Sequence, residues 1–159
     1  MKMLSKADQP LLTYGGAVFG LKQTVDINPG MDGAWYEPDT AGQGFFMDVH
    51  MDNEGEKFIF VSWFTYGDKT ASGQRWLTAQ GNFEGSAAEI DIFETTGGSF
   101  DDPEAVDTVK VGTMNIDLVD CETAELIYVL DAEGLSGSAN LIRVVPGSQA
   151  LCEDVAGLD

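Results

Sequence analysis

From Gly33 onward the chain alternates short aromatic and β-branched runs with clusters of Gly, Asp, Asn and Pro. That rhythm leaves room for little except sheet. The runs are GAWYE, GFFMDVHM, FIFVSWFTY, QRWLTAQGNF, AAEIDIFET, DTVKVGTMNIDLV, TAELIYVL and SGSANLIRVV, which make eight candidate strands. Most of the breakers between them are of hairpin length. No segment places apolar residues at i, i+3, i+4 and i+7 over three turns, so no amphipathic helix is expected. Consecutive strands joined by short turns pair as neighbours. An open meander would leave two edges of unpaired backbone groups, and closing the sheet removes them. The expected fold is therefore all-β: an eight-stranded antiparallel up-and-down meander, with a closed barrel favoured over a two-sheet sandwich. Residues 1–31 read as an N-terminal extension with room for one short strand in "LLTYGGAVFGL", and residues 32–159 as a single β-barrel domain.

Face assignments follow from the period of two. Ala88, Ile90 and Ile92 share one face, while Glu89 and Asp91 point the other way. Leu126, Tyr128 and Leu130 share a face in "TAELIYVL". "FIFVSWFTY" is apolar on both faces and so needs cover on both, for which the N-terminal extension is the available candidate. Around Gly112 the apolar phase slips from Val109 and Val111 to Met114, Ile116 and Leu118, which predicts a β-bulge.

Charge narrows the partners. The formal net charge is −19, from 8 basic and 27 acidic residues, which opposes nucleic acid and anionic membranes and favours solubility, cations and basic partners. No stretch is long enough to span a bilayer as a helix, so no membrane insertion is expected. The start, MKMLSKADQP, has no apolar h-region and is not expected to act as a signal peptide. Cys121 and Cys152 are too few for a four-cysteine zinc site. A bridge between them is the expectation, and it would imply an oxidising compartment; two inert buried thiols are the alternative.

In "GAWYEPDTAGQGFFMDV", Pro38 and Asp39 suit a tight turn, and Gly42 and Gly44 allow positive φ or close approach as the next strand begins. Trp35, at the start of the first strand of the meander, can plug one end of a barrel. Arg143, in the closing strand, can stack on its ring and seal the seam by cation–π contact. A Gly-x-Trp at the start and a basic residue in the last strand resemble the calycin superfamily of lipocalins and avidins. A closer resemblance covers about residues 33 to 145. Blocks of the form W-Y-x-P-x-x-x-G-Q-G, W-[FY]-T-Y, R-W-[LF]-T-A-Q-G and E-T-x-G-G-x-F occur in order, followed by a D-C before a strand. In this the chain is similar to an uncharacterised β domain recurring in secreted proteins of proteobacteria. The resemblance implies export, secreted or periplasmic, and a β fold, but no reaction.

Candidate sites compete with plainer roles. His50, the only histidine, sits near a hairpin tip with no nucleophile signature around it and reads as an exposed strand-end residue. Asp48, Asp52, Asn53 and Glu54 in one hairpin, and Asp101, Asp102, Glu104 and Asp107 in the longest late loop, carry the oxygen ligands that Ca²⁺ takes, the second group being the candidate metal site. Neither matches an EF-hand, and solvated acidic loops are the alternative. No other cofactor is expected. Trp35, Trp63 and Trp76, with Tyr36, Phe64 and Tyr66, form an aromatic set that either packs core and barrel ends or binds. Tyr36, Tyr66 and Trp76 fall at or near strand ends and are the candidate ligand-binding residues.

The function expected from these features is a secreted non-enzymatic β module that binds or assembles with an extracellular glycan, peptide or protein surface. The alternative is a calycin-like carrier of a small apolar ligand inside the barrel. An enzyme has the least support, since neither a base–nucleophile signature nor metal-ligand spacing is present.

Overall fold

The computed structural model describes residues 13–14, 17–18, 25–40, 42–52, 54–67 and 73–158. Among them, β1 (Thr13–Tyr14) and β2 (Ala17–Val18) pair with each other. The extension was expected to hold one short strand and holds a two-stranded ladder. Of its expected role as a cover for "FIFVSWFTY", residues 25–31 are described and contribute to the core, and the remainder falls on residues outside those described. The main sheet contains β3 (Gly33–Tyr36), β4 (Gly44–Met51), β5 (Lys57–Tyr66), β6 (Gln74–Asn82), β7 (Ala87–Ser99), β8 (Asp102–Leu118), β9 (Thr123–Leu130) and β10 (Leu135–Arg143). These eight strands pair antiparallel in sequence order, and β10 pairs both β9 and β3. The all-β up-and-down arrangement read from the sequence is the one observed. The β3–β10 ladder is short, with Ile142 opposite Tyr36 and Arg143 opposite Trp35.

Period-two burial builds the core. Phe45, Met47 and Val49 of β4 point inward, as do Ile59, Val61 and Trp63 of β5, Leu77 and Ala79 of β6, and Ala88, Ile90 and Ile92 of β7. They meet Met114, Ile116 and Leu118 of β8 with Leu126 and Leu130 of β9. The bulge expected around Gly112 is present: Ile92 faces Gly112, whereas its neighbour Phe93 faces Lys110, so Val111 is the extra residue. Gly112 is required there, because a Cβ would fall 1.9 Å from the carbonyl oxygen of Val129.

Two departures from the sequence reading concern the ends of elements. The stretch "TGGSFDDPEA", expected as a long loop, instead continues β7 and β8 as a two-stranded arm pairing Glu94 with Val109 and Ser99 with Asp102. The ladder continues outward through two register shifts, one at Ile92/Phe93 and one at Gly97/Ser99, and the turn shrinks to Phe100 and Asp101. The second departure is a helix, α1 (Gln149–Ala156), after β10. It has no side-chain N-cap and only eight residues, so it is held by tertiary contacts. The extension is also shorter than residues 1–31. Val25, Ile27 and Met31 are core residues, and the Ile27 N–H donates to Gly85 O at 2.8 Å.

One end of the sheet is sealed by α1 and by a 3-10 turn over Pro29–Met31. The guanidinium of Arg143 lies 4.3 Å from the centroid of the Trp35 ring. Its Nε donates to Cys121 O and its Nη2 to Gly30 O, both at 2.6 Å. Trp35, fully buried, donates from Nε1 to Met31 O at 2.9 Å. The Ser148 hydroxyl reaches Asp32 O at 2.6 Å and Gly30 O at 2.9 Å. A disulfide joins Cys121, between β8 and β9, to Cys152 of α1. Asp32 Oδ1 accepts from the Val49 N–H at 2.8 Å. Burial pushes the Asp32 carboxyl up and the Arg143 guanidinium down, and each is partly offset by the charge of the other.

Two outcomes follow. Replacing Arg143 by Met removes the cation–π contact and two charge-assisted hydrogen bonds. It should cost about 2–4 kcal/mol, read as a lower melting midpoint in a thermal scan. Unreduced, denatured protein should show no titratable thiol. Reduction should destabilise the fold by about 3–4 kcal/mol in the chain-entropy picture, read as a lower denaturant midpoint.

Candidate ligand-binding face

Two adjacent aromatics in a strand must point to opposite faces. Phe45 and Trp63 therefore go inward and stack at 5.5 Å between ring centroids, while their neighbours Phe46 and Phe64 go outward and meet edge to face at 6.5 Å. Phe64 sits directly opposite Trp76 on β6, and Tyr66 opposite Gln74. On this outward face Phe46 is 55 %, Phe64 50 %, Tyr66 48 % and Trp76 56 % exposed.

A cleft of about 290 Å³ opens on the face between the ends of β5 and β6, lined by Gly42, Phe64, Thr65, Tyr66, Gln74, Arg75 and Trp76. Gly42 has φ +76°, and a Cβ there would fall 2.5 Å from the Tyr66 hydroxyl oxygen. Glycine therefore lets the β3–β4 connection close against the tyrosine. Gly44 lies opposite Phe64, and a Cβ there would come within 3.0 Å of Trp35 O. Across β3 to β6 the outward row runs Tyr36, Gly44, Phe64, Trp76.

Arg75 anchors the cleft's rim. Its Nε donates to Glu94 Oε1 at 2.8 Å, while Nη1 and Nη2 grip both oxygens of Glu133, in the β9–β10 connection, at 3.0 and 2.6 Å. These carboxylates, Glu133 foremost, push the guanidinium pKa above its ordinary value. Beside it, Thr65 Oγ1 donates to Gln43 Oε1 at 2.5 Å. Below this rim, Trp63 and Tyr128 lie 4.7 Å apart, and with Phe45 they fill the interior down to a recess of about 80 Å³.

Of the residues singled out by sequence, Tyr66 and Trp76 come together in the cleft, and Tyr36 lies half-buried on the same face, beyond Gly44. The sequence reading did not single out Phe46 for this face, nor Gln74. The signal available was the doubled aromatics "FF" and "WF", each of which forces one ring outward. The acidic residues expected to hold calcium are spread out rather than gathered. Asp102, Glu104 and Asp107 are spread along the outgoing strand of the arm with Asp101 in its turn, and a strand rises about 3.3 Å per residue, so they do not converge. Among the described residues no group of three or more His, Cys, Asp or Glu side chains could hold a metal ion. In the other acidic hairpin, Asp52 Oδ1 accepts from the N–H groups of Glu54 and Glu56 and so holds the turn; Asn53 lies outside the described residues. His50 is exposed on β4, opposite Phe58.

Gly42→Ala forces a side chain into the left-handed region and against Tyr66. It should cost about 1–2 kcal/mol, read as a lower melting midpoint, with a changed tyrosine signal in the near-ultraviolet circular dichroism. Scans against family models, curated proteins and solved structures find no match to this chain.

Proposed function

We propose that the protein is a secreted, non-enzymatic module, built on a closed β-barrel, that binds an extracellular glycan, peptide or protein surface through the outward aromatic face of β4, β5 and β6. One observation carries this reading: Phe46, Phe64, Tyr66 and Trp76 are contiguous and each about half exposed. Large apolar groups gathered on one surface mark interaction sites, whereas singly scattered ones do not. Tyrosine and tryptophan can bury a ring and still offer a polar tip to a partner.

Other features agree with it. A disulfide suits an oxidising compartment. Among the described residues no helix is long and apolar enough to cross a membrane. The block pattern from Trp35 to Arg143 resembles that of secreted proteobacterial β domains, and the acidic balance opposes polyanionic partners. A carrier role has less support, because the recess beside Phe45, Trp63 and Tyr128, about 80 Å³, is well below the roughly 300–1,000 Å³ of ligand pockets.

The test is a glycan and peptide array probed with wild type, Trp76→Ala and His50→Ala. Binding should be lost in Trp76→Ala and kept in His50→Ala, with both variants melting near wild type. Binding that survives Trp76→Ala and disappears with His50→Ala would place the site elsewhere.

A further inference from the structure

We propose that the cleft between Phe64, Tyr66, Gln74 and Trp76 takes one or two neutral sugar rings of an uncharged glycan. This inference rests on the reading of that face as the binding surface and names its ligand class.

The size fits first. About 290 Å³ lies at the lower edge of the range for small-molecule pockets, enough for a ring or two, and the flanking aromatics stand open to solvent so that a longer chain can continue past them. The lining fits next. A sugar ring has an apolar C–H face and a rim of hydroxyls. Trp76 and Phe64, opposite each other on neighbouring strands, offer flat ring surface. The Tyr66 hydroxyl and the Gln74 amide offer donors and acceptors at the border.

Charge then separates the candidates. Among the described residues Arg75 is the one charged residue in the lining, and three of its five N–H groups are held by Glu94 and Glu133, so two carboxylates already match its single charge against an anion. The overall charge of −19 repels polyanions further. A cationic ligand gains from a free carboxylate beside the rings; among the described residues none lines the cleft, and the nearby Glu94 and Glu133 are taken up by Arg75. A peptide that adds as a strand needs an unpaired sheet edge. Here β5 is paired to β4 and β6 while β6 meets β7 only at Thr78–Gln80, and the rings of Phe64, Tyr66 and Trp76 stand on the sheet face rather than along that edge, so an added strand would leave them unused. A neutral ring stacked flat is what remains compatible with aromatic surface, amide and hydroxyl groups, and no free charge.

The experiment is affinity electrophoresis of the full chain through gels containing an uncharged β-glucan, a mannan or a galactan. Parallel gels contain a carboxylated and a sulfated polysaccharide, and oligolysine is titrated separately with tryptophan emission as the readout. At least one uncharged polysaccharide should retard the protein. Trp76→Ala should weaken that retardation about ten-fold or more, Trp76→Phe should restore part of it, and the charged gels should leave migration unchanged. Oligolysine binding that Trp76→Ala abolishes, without retardation by the uncharged gels, overturns the sugar inference and leaves the aromatic face as the binding surface. Retardation that Trp76→Ala and Tyr66→Ala both leave intact overturns the inference and the proposed function together. Retention in none of the uncharged gels overturns the sugar inference.

Discussion

The guanidinium of Arg143 is the point on which the closed end of the structure depends. It lies over the buried ring of Trp35 where β10 meets β3, and it reaches the carbonyl oxygens of both Gly30 and Cys121. One side chain thus ties together the last strand of the sheet, the turn that enters β3, and the β8–β9 connection that carries half of the disulfide. The ladder it supports is short compared with its neighbours: β10 meets β3 at two register positions but meets β9 at eight. Backbone pairing is therefore weakest where side-chain chemistry is densest. Desolvating a guanidinium is costly, and its ring contact, two carbonyls and the nearby Asp32 charge offset that cost.

The interior and the outer face divide a common stock of aromatics. Each doubled aromatic supplies one ring to the core and one to the surface. The inward rings Phe45 and Trp63, with Tyr128, crowd the interior, and the outward rings Phe46 and Phe64 join Tyr66 and Trp76. Arg75 stands between the two sets, bridging β6 to Glu94 of β7 and to Glu133 of the β9–β10 connection. It fixes the rim of the sheet at the end away from Arg143. Partly shielded pairs of this bidentate kind hold geometry better than exposed ion pairs, such as that of Lys110 with Asp91, which contribute little.

Much of the strand plan was legible because burial in a sheet writes a period of two into the residues. "AAEIDIFET" and "TAELIYVL" state their inward faces directly, and the slip at Gly112 states its bulge. The elements that were not legible owe their structure to distant partners. Helix α1 has weak local signals and is fastened by Cys152 and packed against Pro29–Met31. The arm of β7 and β8 is rich in turn residues and remains a ladder because the core pairing brings the two strands out side by side, the bulges absorbing the mismatch. For the candidate face, Tyr66 and Trp76 could be singled out from their positions near strand ends. The cleft itself depends on which loop closes over Tyr66, and that is decided by the positive φ of Gly42 and the reach of Arg75.

The segment leading into β3 and the segment leaving β10 lie side by side at the sealed end. So close are they that a side chain on Gly30 would collide with the backbone of Cys152, at 2.2 Å from its nitrogen. The aromatic cleft, with Gly42 in its wall, sits toward the opposite end, where the β3–β4, β5–β6 and β9–β10 connections gather. The two ends of the strands therefore do different work: one is spent on fastening the chain to itself, and the other is left free to hold the aromatic rings in solvent.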